Sequence, residues 1–387
     1  MDVKVTDTQS TLTPTVCFVG AVAARADTRL WGLSLMDWQK RAFKKAGASY
    51  VSTKGASVIL NIDWILSTAL CRAFVAARNT ALVVDGEIIG INGGHAHQAV
   101  KPHTLIGMQA SDGILNKHGL MAKSPDAISD IYNKALRKSE PPYALNVMRT
   151  PMTTIMQRQF DSSYKGITDF VTKYFWPLPA FYVTRACAAM KLSPNMVTTI
   201  GLVLCVAAFY FFMQGQWALG FVTGWFMTFL DTVDGKLART TMTYSWWGNI
   251  YDHGIDLIHP SFWYFAWFIG LGGVLAWPNA MTIALALIMV GYVVDRVIEG
   301  IFILQHGFHI HVWRPFNSFL RIYTARRNPN TFIFMLAIIA STIVPQAGIW
   351  GFYAVAAWTW ICIVINIGVV IKATVTKKTV VSWMDSA

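Results

Sequence analysis

The chain has 387 residues, of which 54% are hydrophobic and only 13% charged, with 16 Trp and a formal net charge of +12; a mean hydropathy of +0.43 adds to the case for a membrane protein. The basic balance could suit nucleic acid, but no nucleic-acid motif accompanies it, so anionic lipid and phosphorylated small molecules are the expected partners. Five scattered cysteines (Cys17, Cys71, Cys187, Cys205 and Cys362) form no CxxC pair, which argues against disulfides and structural zinc and for buried small side chains.

Residues 1–150 alternate helix-like and strand-like segments, with no long uninterrupted apolar run, and read as a soluble α/β domain. No basic segment followed by a continuous apolar one opens the chain, so a cleaved signal peptide is not expected. Ser57–Ala76 could pass for a membrane span, but Asp63 and Arg72 interrupt it, and a buried strand running into a helix fits better. The segments LWGLSLMDWQKRAFKKAGA, VILNIDWIL around Asp63 and ALVVDGEIIGIN around Asp85 resemble sugar-phosphate nucleotidyltransferases. The resemblance is to the kind fused to CDP-alcohol phosphotransferases in bifunctional inositol-phosphate enzymes. It implies a Gly-rich loop that wraps a triphosphate with backbone N–H groups and a metal-binding Asp at the position of Asp63. This chain has VCFVGAVAARADTRL there, keeping only Gly20 and lacking the expected lysine. The expectation is therefore a degenerate nucleotidyltransferase-like domain, retained for stability, dimer contacts or regulation. A bifunctional enzyme with two active sites is the alternative, and the missing loop argues against it.

Residues 151–194 form a linker and an interfacial helix. The stretch FWPLPAFYVTRACAAMKLSPN mixes aromatics with Arg185 and Lys191 and contains Pro177 and Pro179, as a helix lying along the cytoplasmic membrane surface would. Pro194 suits the first turn of the next helix, with Asn195 and Thr198 following.

Residues 195–387 are expected to be a membrane domain of six helices, over roughly Met196–Met213, Trp217–Leu230, Asn249–Leu271, Met281–Ile303, Thr331–Val344 and Trp350–Ile371. Lys236 and Arg239 are placed in the second loop, Arg314, Arg321, Arg326 and Arg327 in the fourth, and Lys372, Lys377 and Lys378 in the tail, while the alternate loops carry no Lys or Arg. The positive-inside rule then puts both termini at the cytoplasmic face, with Trp217, Trp277 and Trp350 as outer interfacial anchors.

Between the second and third spans runs DTVDGKLARTTMTYSWWGNIYDHGID, with the pattern D-x2-D-G-x2-A-R-x8-G-x3-D-x3-D. On a helix, Asp231, Asp234 and Ala238 share one face, and Gly248, Asp252 and Asp256 share another. Two helices joined by a short turn would present four carboxylates across one gap. A centrally placed Asp costs about 2.5 to 3.5 kcal/mol in a membrane helix, so positive charge must compensate. Hard oxygen ligands suit Mg²⁺ or Mn²⁺, and a pair of divalent ions suits a pyrophosphate. Gly235, Ala238 and Gly248 would let a phosphorylated ligand approach the backbone, and Arg239 would offer a planar donor fork.

This pattern resembles the signature of the CDP-alcohol phosphotransferase family at every fixed position, and Ser193–Thr198 looks like that family's entry to its first membrane helix. The resemblance implies metal binding by Asp231, Asp234 and Asp252, with Asp256 facing the metals or acting as general base. Asn195 and Thr198 would face the nucleotide. It also implies a homodimer of the bacterial inner membrane and a reaction in which a hydroxyl acceptor, an alcohol or a lipid, displaces CMP from a CDP-linked donor. CDP-diacylglycerol with a polar alcohol or its phosphate is one polarity; a soluble CDP-alcohol with a lipid hydroxyl is the other. A membrane scaffold or transporter with a polar midsection is the reading from a different class.

The fourth span ends VVDRVIEGIF, where Asp295, Arg296 and Glu299 could serve substrate or pair among themselves. The following HGFHIHVWRPFNSFLRIYTARRNPN holds His306, His309 and His311, weakly suggestive of metal. It also holds four Arg, among which Arg326 and Arg327 are candidates for a phosphorylated substrate.

Overall fold

The computed structural model describes residues 13–52, 56–93, 102–376 and 380–385; Lys377 and Lys378 of the basic tail lie outside these. The chain divides into two units, Met1–Ile131 with Glu140–Ser162, and Tyr132–Ser139 with Ser163–Ala387.

The first unit is α/β. In chain order it holds β1 (Thr15–Val19), β2 (Arg29–Leu30), β3 (Leu33–Ser34), α1 (Leu35–Lys45), β4 (Ser49–Tyr50), β5 (Val58–Asn61), β6 (Trp64–Leu66), α2 (Thr68–Ala76), β7 (Thr80–Val84), β8 (Glu87–Asn92), α3 (Asp112–Lys117), β9 (Met121–Lys123) and α4 (Pro125–Ile128). The hairpin of β10 (Tyr132–Asn133) and β11 (Lys138–Ser139) belongs to the second unit, and β12 (Ala144–Asn146) and α5 (Met152–Ser162) complete the first. Six strands make one mixed sheet in the order β4-β1-β5-β8-β7-β9, with β1 parallel to β4 and β5 and with β8 antiparallel to β5 and β7. Val58, Ile59 and Leu60 are all buried, as a continuous apolar run demands when both faces of a strand are covered. Ser57–Ala76 is thus β5, β6 and α2, the strand-into-helix reading. Ser34 starts α1 by accepting the N–H of Asp37, and Lys44 and Lys45 close it where the helix dipole is negative.

The second unit is helical: α6 (Pro177–Ala189), α7 (Pro194–Met213), α8 (Trp217–Thr240), α9 (Trp246–Gly270), α10 (Ala280–His306), α11 (Pro315–Arg321), α12 (Arg327–Ala340) and α13 (Ala347–Val375). Ser193 caps α7 by accepting the N–H of Met196, and Pro194 occupies the first turn. Among the described residues, α7, α10 and α13 are long and apolar enough to cross a membrane, and the chain is an integral membrane protein. Helices α8 and α9, of 24 and 25 residues, have the length but carry the aspartates, and α12 has only 14 residues.

Several boundaries differ from expectation: α9 begins at Trp246 and not Asn249, α12 ends at Ala340 and not Val344, and α13 runs on to Val375, taking in Lys372 of the expected tail. Lys236 and Arg239 do not lie in a loop: α8 continues to Thr240, and Lys236 is buried. Its amine is held by the Ser163 carbonyl at 3.1 Å and stands 3.2 Å from the centre of the Tyr164 ring, which offsets the desolvation. Likewise α12 begins at Arg327, four residues before the expected span.

The membrane half packs around aromatic side chains. Trp267 stacks on Phe334 at 4.3 Å, and Phe212 meets Trp263 and Trp267 edge-on at 5.8 and 5.9 Å. Phe221 joins this core from α8. Asp231 lies ten residues further along the same helix, about 15 Å at 1.5 Å per residue. The apolar core therefore fills one stretch of α8 and α9 and leaves the other to the polar site.

Candidate active site

The signature lies on α8 and α9 and the turn between them. Ser245 starts α9 by accepting the N–H of Gly248 at 3.0 Å, which fixes the phase of the following residues. One oxygen from each of Asp231, Asp252 and Asp256 lies within 4.8 Å of the others, and all three side chains are half-buried. Asp234 stands beside this group. Its Oδ2 accepts the Thr198 hydroxyl at 2.5 Å, whereas Oδ1 is buried with no hydrogen-bond partner. A set of carboxylate oxygens with one orphaned buried oxygen suits a hard divalent cation, whose ligands are oxygens. The donor set therefore fits Mg²⁺ or Mn²⁺.

Arg327, at the start of α12, spans two members of the group. Its Nη1 donates to Asp256 Oδ1 at 2.6 Å, and its Nη2 donates to Asp231 Oδ2. A planar guanidinium bridges two carboxylates from two separate nitrogens in a fixed plane, where a lysine would offer a single point charge.

The small residues are crowded. A Cβ on Gly248 would come within 2.9 Å of Asn195 Oδ1, and one on Gly235 within 2.9 Å of Arg239 Nη2. Gly248 thus brings the start of α7 against α9, with Asn195 packed on Gly248, one turn before Asp252. Arg239 lies over Gly235 with its Nε buried and unpartnered. The Ala238 carbonyl accepts the N–H of Thr243 at 2.9 Å and folds the turn between α8 and α9.

Arg326 goes elsewhere. Its guanidinium donates to Glu299, which also takes His311 Nε2 at 2.7 Å and Arg296 at 3.3 Å. Asp295 accepts the Asn366 amide at 2.8 Å. Asp295, Arg296 and Glu299 thus build a pairing network joining α10 to the segment before α12. His311 serves that network and not a three-histidine metal group; among the described residues the one group with metal-ligand geometry is the aspartate cluster.

Sequence reasoning missed His259, one turn beyond Asp256. Its Nδ1 lies 2.7 Å from the Ile255 carbonyl, and its buried Nε2 has no partner. The spacing of three from Asp256 could have revealed it, because that spacing keeps one helix face. On α9 an apolar groove of about 550 Å³ runs against α7, lined by Phe209, Ile250, Ile255, Ile258 and Phe262, with His259. In the first unit, the Asp63 carboxylate is paired with Arg25 Nε at 2.7 Å, and Asn61 caps the Asp63 N–H at 3.0 Å.

Residues 191–370 match the family described as CDP-alcohol phosphatidyltransferase. An archaetidylinositol phosphate synthase of Pyrococcus horikoshii is 31% identical over 115 residues, 30% of this chain and 60% of that protein. A Schizosaccharomyces pombe protein, described as an uncharacterized CDP-alcohol phosphatidyltransferase class-I family protein, is 34% identical over 88 residues, 19% of this chain and 22% of that protein. The chain thus spans less than two thirds of the length of either relative. Among solved structures, phosphatidylinositol phosphate synthase of Mycobacterium tuberculosis with CDP-DAG bound is 19% identical with a TM-score of 0.40, covering 49% of this chain and 92% of that one. The same enzyme in complex with manganese and citrate is 18% identical with a TM-score of 0.41, covering 51% and 93%. The eight-residue pattern thus lies intact on α8 and α9 inside the segment that matches this family.

Proposed function

We propose that this protein is a membrane phosphotransferase of phospholipid biosynthesis, moving a phosphatidyl-type group from a CDP-linked lipid to the hydroxyl of a polar acceptor and releasing CMP. The observation that carries the reading is the convergence of Asp231, Asp252 and Asp256 within 4.8 Å inside a domain of this family. The Pyrococcus relative, named for a lipid joined to inositol phosphate, favours this polarity over a soluble CDP-alcohol attacked by a lipid hydroxyl. The apolar groove between α7 and α9 supports it too, since Tyr251 and Ile255, sequence neighbours of Asp252 and Asp256, line it and it offers an acyl chain a lining of carbon.

Asp231, Asp252 and Asp256, with Asp234 beside them, would hold one or two Mg²⁺ or Mn²⁺ ions. Those ions would neutralise the donor pyrophosphate and the charge that grows on the departing CMP. Arg239 contributes its donor fork to pyrophosphate oxygens, and Asn195 and Thr198 mark the nucleotide end. Asp256 takes the proton of the acceptor hydroxyl. The oxygen so exposed bonds to the lipid-linked phosphorus, the phosphoanhydride bond breaks, and CMP leaves with the electron pair. Arg327 aims Asp256, whose Oδ1 accepts the Arg327 Nη1–H at 2.6 Å.

The membrane arrangement belongs to the same reading. Helices α7–α10, α12 and α13 would make six crossings, with the site and both termini at the cytoplasmic face of a bacterial inner membrane, and two copies would pair. The first unit would be a nucleotidyltransferase relic, a reading supported by the Arg25–Asp63 pair: a carboxylate already bound by guanidinium is a poor metal ligand.

The test is CMP release by purified full-length protein with Mg²⁺ or Mn²⁺, offering CDP-diacylglycerol and soluble CDP-alcohols separately against polar and lipid acceptors. Release with CDP-diacylglycerol and a polar acceptor supports the reading. Release only with a CDP-alcohol and a lipid reverses the polarity, and none with any pair removes the enzyme reading.

A further inference from the structure

The start of α12 is fixed from outside the helix. Arg326 is its N-cap and Arg327 its first residue, with no side-chain cap and no acidic residue in the first turn. Two cations at the positive end of a helix dipole are unfavourable by themselves, so tertiary partners must hold them. Arg326 is extended, with φ of −129° and ψ of 175°, and its side chain leaves in a different direction from that of Arg327. Arg327 reaches Asp231 and Asp256, whereas Arg326 reaches Glu299 on α10. Asn328 adds a third tether by donating to Asp169 Oδ1 at 3.0 Å.

Glu299 is held in its turn. His311 Nε2 lies 2.7 Å from Glu299 Oε1, and facing a carboxylate it carries the proton. His311 is buried, yet its backbone belongs only to the short 3₁₀ turn Ile310–Val312 between α10 and α11. A turn of this kind is a weak frame for a buried imidazole. The C-terminal tail, beyond the family match that ends at residue 370, completes the frame. The Val312 carbonyl accepts the Ser382 hydroxyl at 2.9 Å and the Trp383 N–H at 3.2 Å. Trp383 Nε1 donates to Ser318 Oγ at 3.0 Å, and the Ser318 hydroxyl donates to the His311 carbonyl at 2.7 Å. Ser382 is fully buried, and Met384 packs with Ile167 and Val312 in one apolar cluster. All of these groups belong to the second unit.

We propose that the tail segment 380–385 is a positioning latch for the aspartate site. Ser382 and Trp383 fix the turn that carries His311, His311 fixes Glu299, and Glu299 fixes Arg326. The adjoining Arg327 is thereby set between Asp231 and Asp256. These are positioning residues, acting through Arg327 and not on substrate. A shift of about 1 Å caused by a remote change can cost on the order of 10²-fold in rate, so the latch matters to turnover. Its catalytic meaning rests on the transferase reading, and its mechanical part does not.

The experiment uses full-length protein in detergent, with Ser382→Ala, Trp383→Phe and the double variant, each checked by its melting curve. Ser382→Ala removes the hydroxyl on Val312, and Trp383→Phe keeps an aromatic ring while removing the N–H on Ser318. Amide hydrogen exchange is followed by mass spectrometry in chelator, without donor. Exchange should quicken both in 308–318 and in 325–331. A rise confined to 308–318, or no rise at all, overturns the latch. No turnover is needed, so this result stands apart from the transferase reading, which fails if no donor yields CMP. In a second arm, the double variant should release CMP with kcat about tenfold lower and KM for the CDP donor near wild type. Unchanged kcat, or a loss confined to KM, contradicts positioning. Placed on Arg327→Gln, the same double variant should cost less than about twofold more, because both changes act through one group. A full second loss would mean that the tail acts by another route. His311→Gln can still donate to Glu299 and should keep kcat within about threefold, while His311→Phe should lose about tenfold; equal loss in the two contradicts the link through Glu299.

Discussion

At the scale of single residues, groups that react are distinct from groups that position. Asp256→Asn keeps shape and removes the proton acceptor, so CMP release should fall by about 10²–10⁴-fold with the protein still folded; wild-type turnover would remove Asp256 from the mechanism. Arg327 acts through Asp231 and Asp256, which it bridges. Arg327→Gln leaves two half-buried carboxylates without their cation, a loss on the order of 3 kcal/mol in the metal-free protein. Added Mn²⁺ should restore much of that stability, which a thermal melt in chelator and in Mn²⁺ would show; equal melting of variant and wild type in chelator would contradict the bridge. The pattern of spacings revealed which carboxylates share helix faces, because the period of a helix is local. It could not reveal that Arg327, almost a hundred residues away, would lie between them, nor that the neighbouring Arg326 would turn to Glu299. Nothing in the spacing of Arg326 and Arg327 distinguishes the two, since consecutive residues leave a helix end in different directions.

At the scale of elements, the start of α7 was readable from Ser193 and Pro194 because capping chemistry is written in adjacent residues. Ser193→Ala should cost about 1 kcal/mol in a denaturation experiment. A change near zero would mean that packing alone fixes this helix start. The ends of α8 and α12 were less readable. Lys236 looks like a loop cation in sequence, but it is buried because Ser163 and Tyr164 come from a distant segment to receive it. Apolarity signals were strong for α7, α10 and α13 and weaker for α8 and α9, whose aspartates dilute the run.

At the scale of the whole molecule, the chain joins an α/β unit to a helical unit in which residues 191–370 match the CDP-alcohol phosphatidyltransferase family. The α/β class was legible from alternating segments, and the structure adds what lies around Asp63, namely Arg25. The full-length protein should therefore make no CDP-alcohol from CTP and an alcohol phosphate; its appearance would restore a second active site. Five buried cysteines without a disulfide agree with the scattered spacing and predict no change in mobility or melting on reduction.

The most direct measurement is divalent-dependent CMP release from CDP-diacylglycerol by wild type and by Asp231→Asn, Asp252→Asn and Asp256→Asn, each confirmed folded by its melting curve. Release by wild type should be abolished by chelator and restored by Mn²⁺ or Mg²⁺, with each variant reduced at least about 10²-fold. Undiminished release in chelator, or in any of the three folded variants, would contradict that expectation.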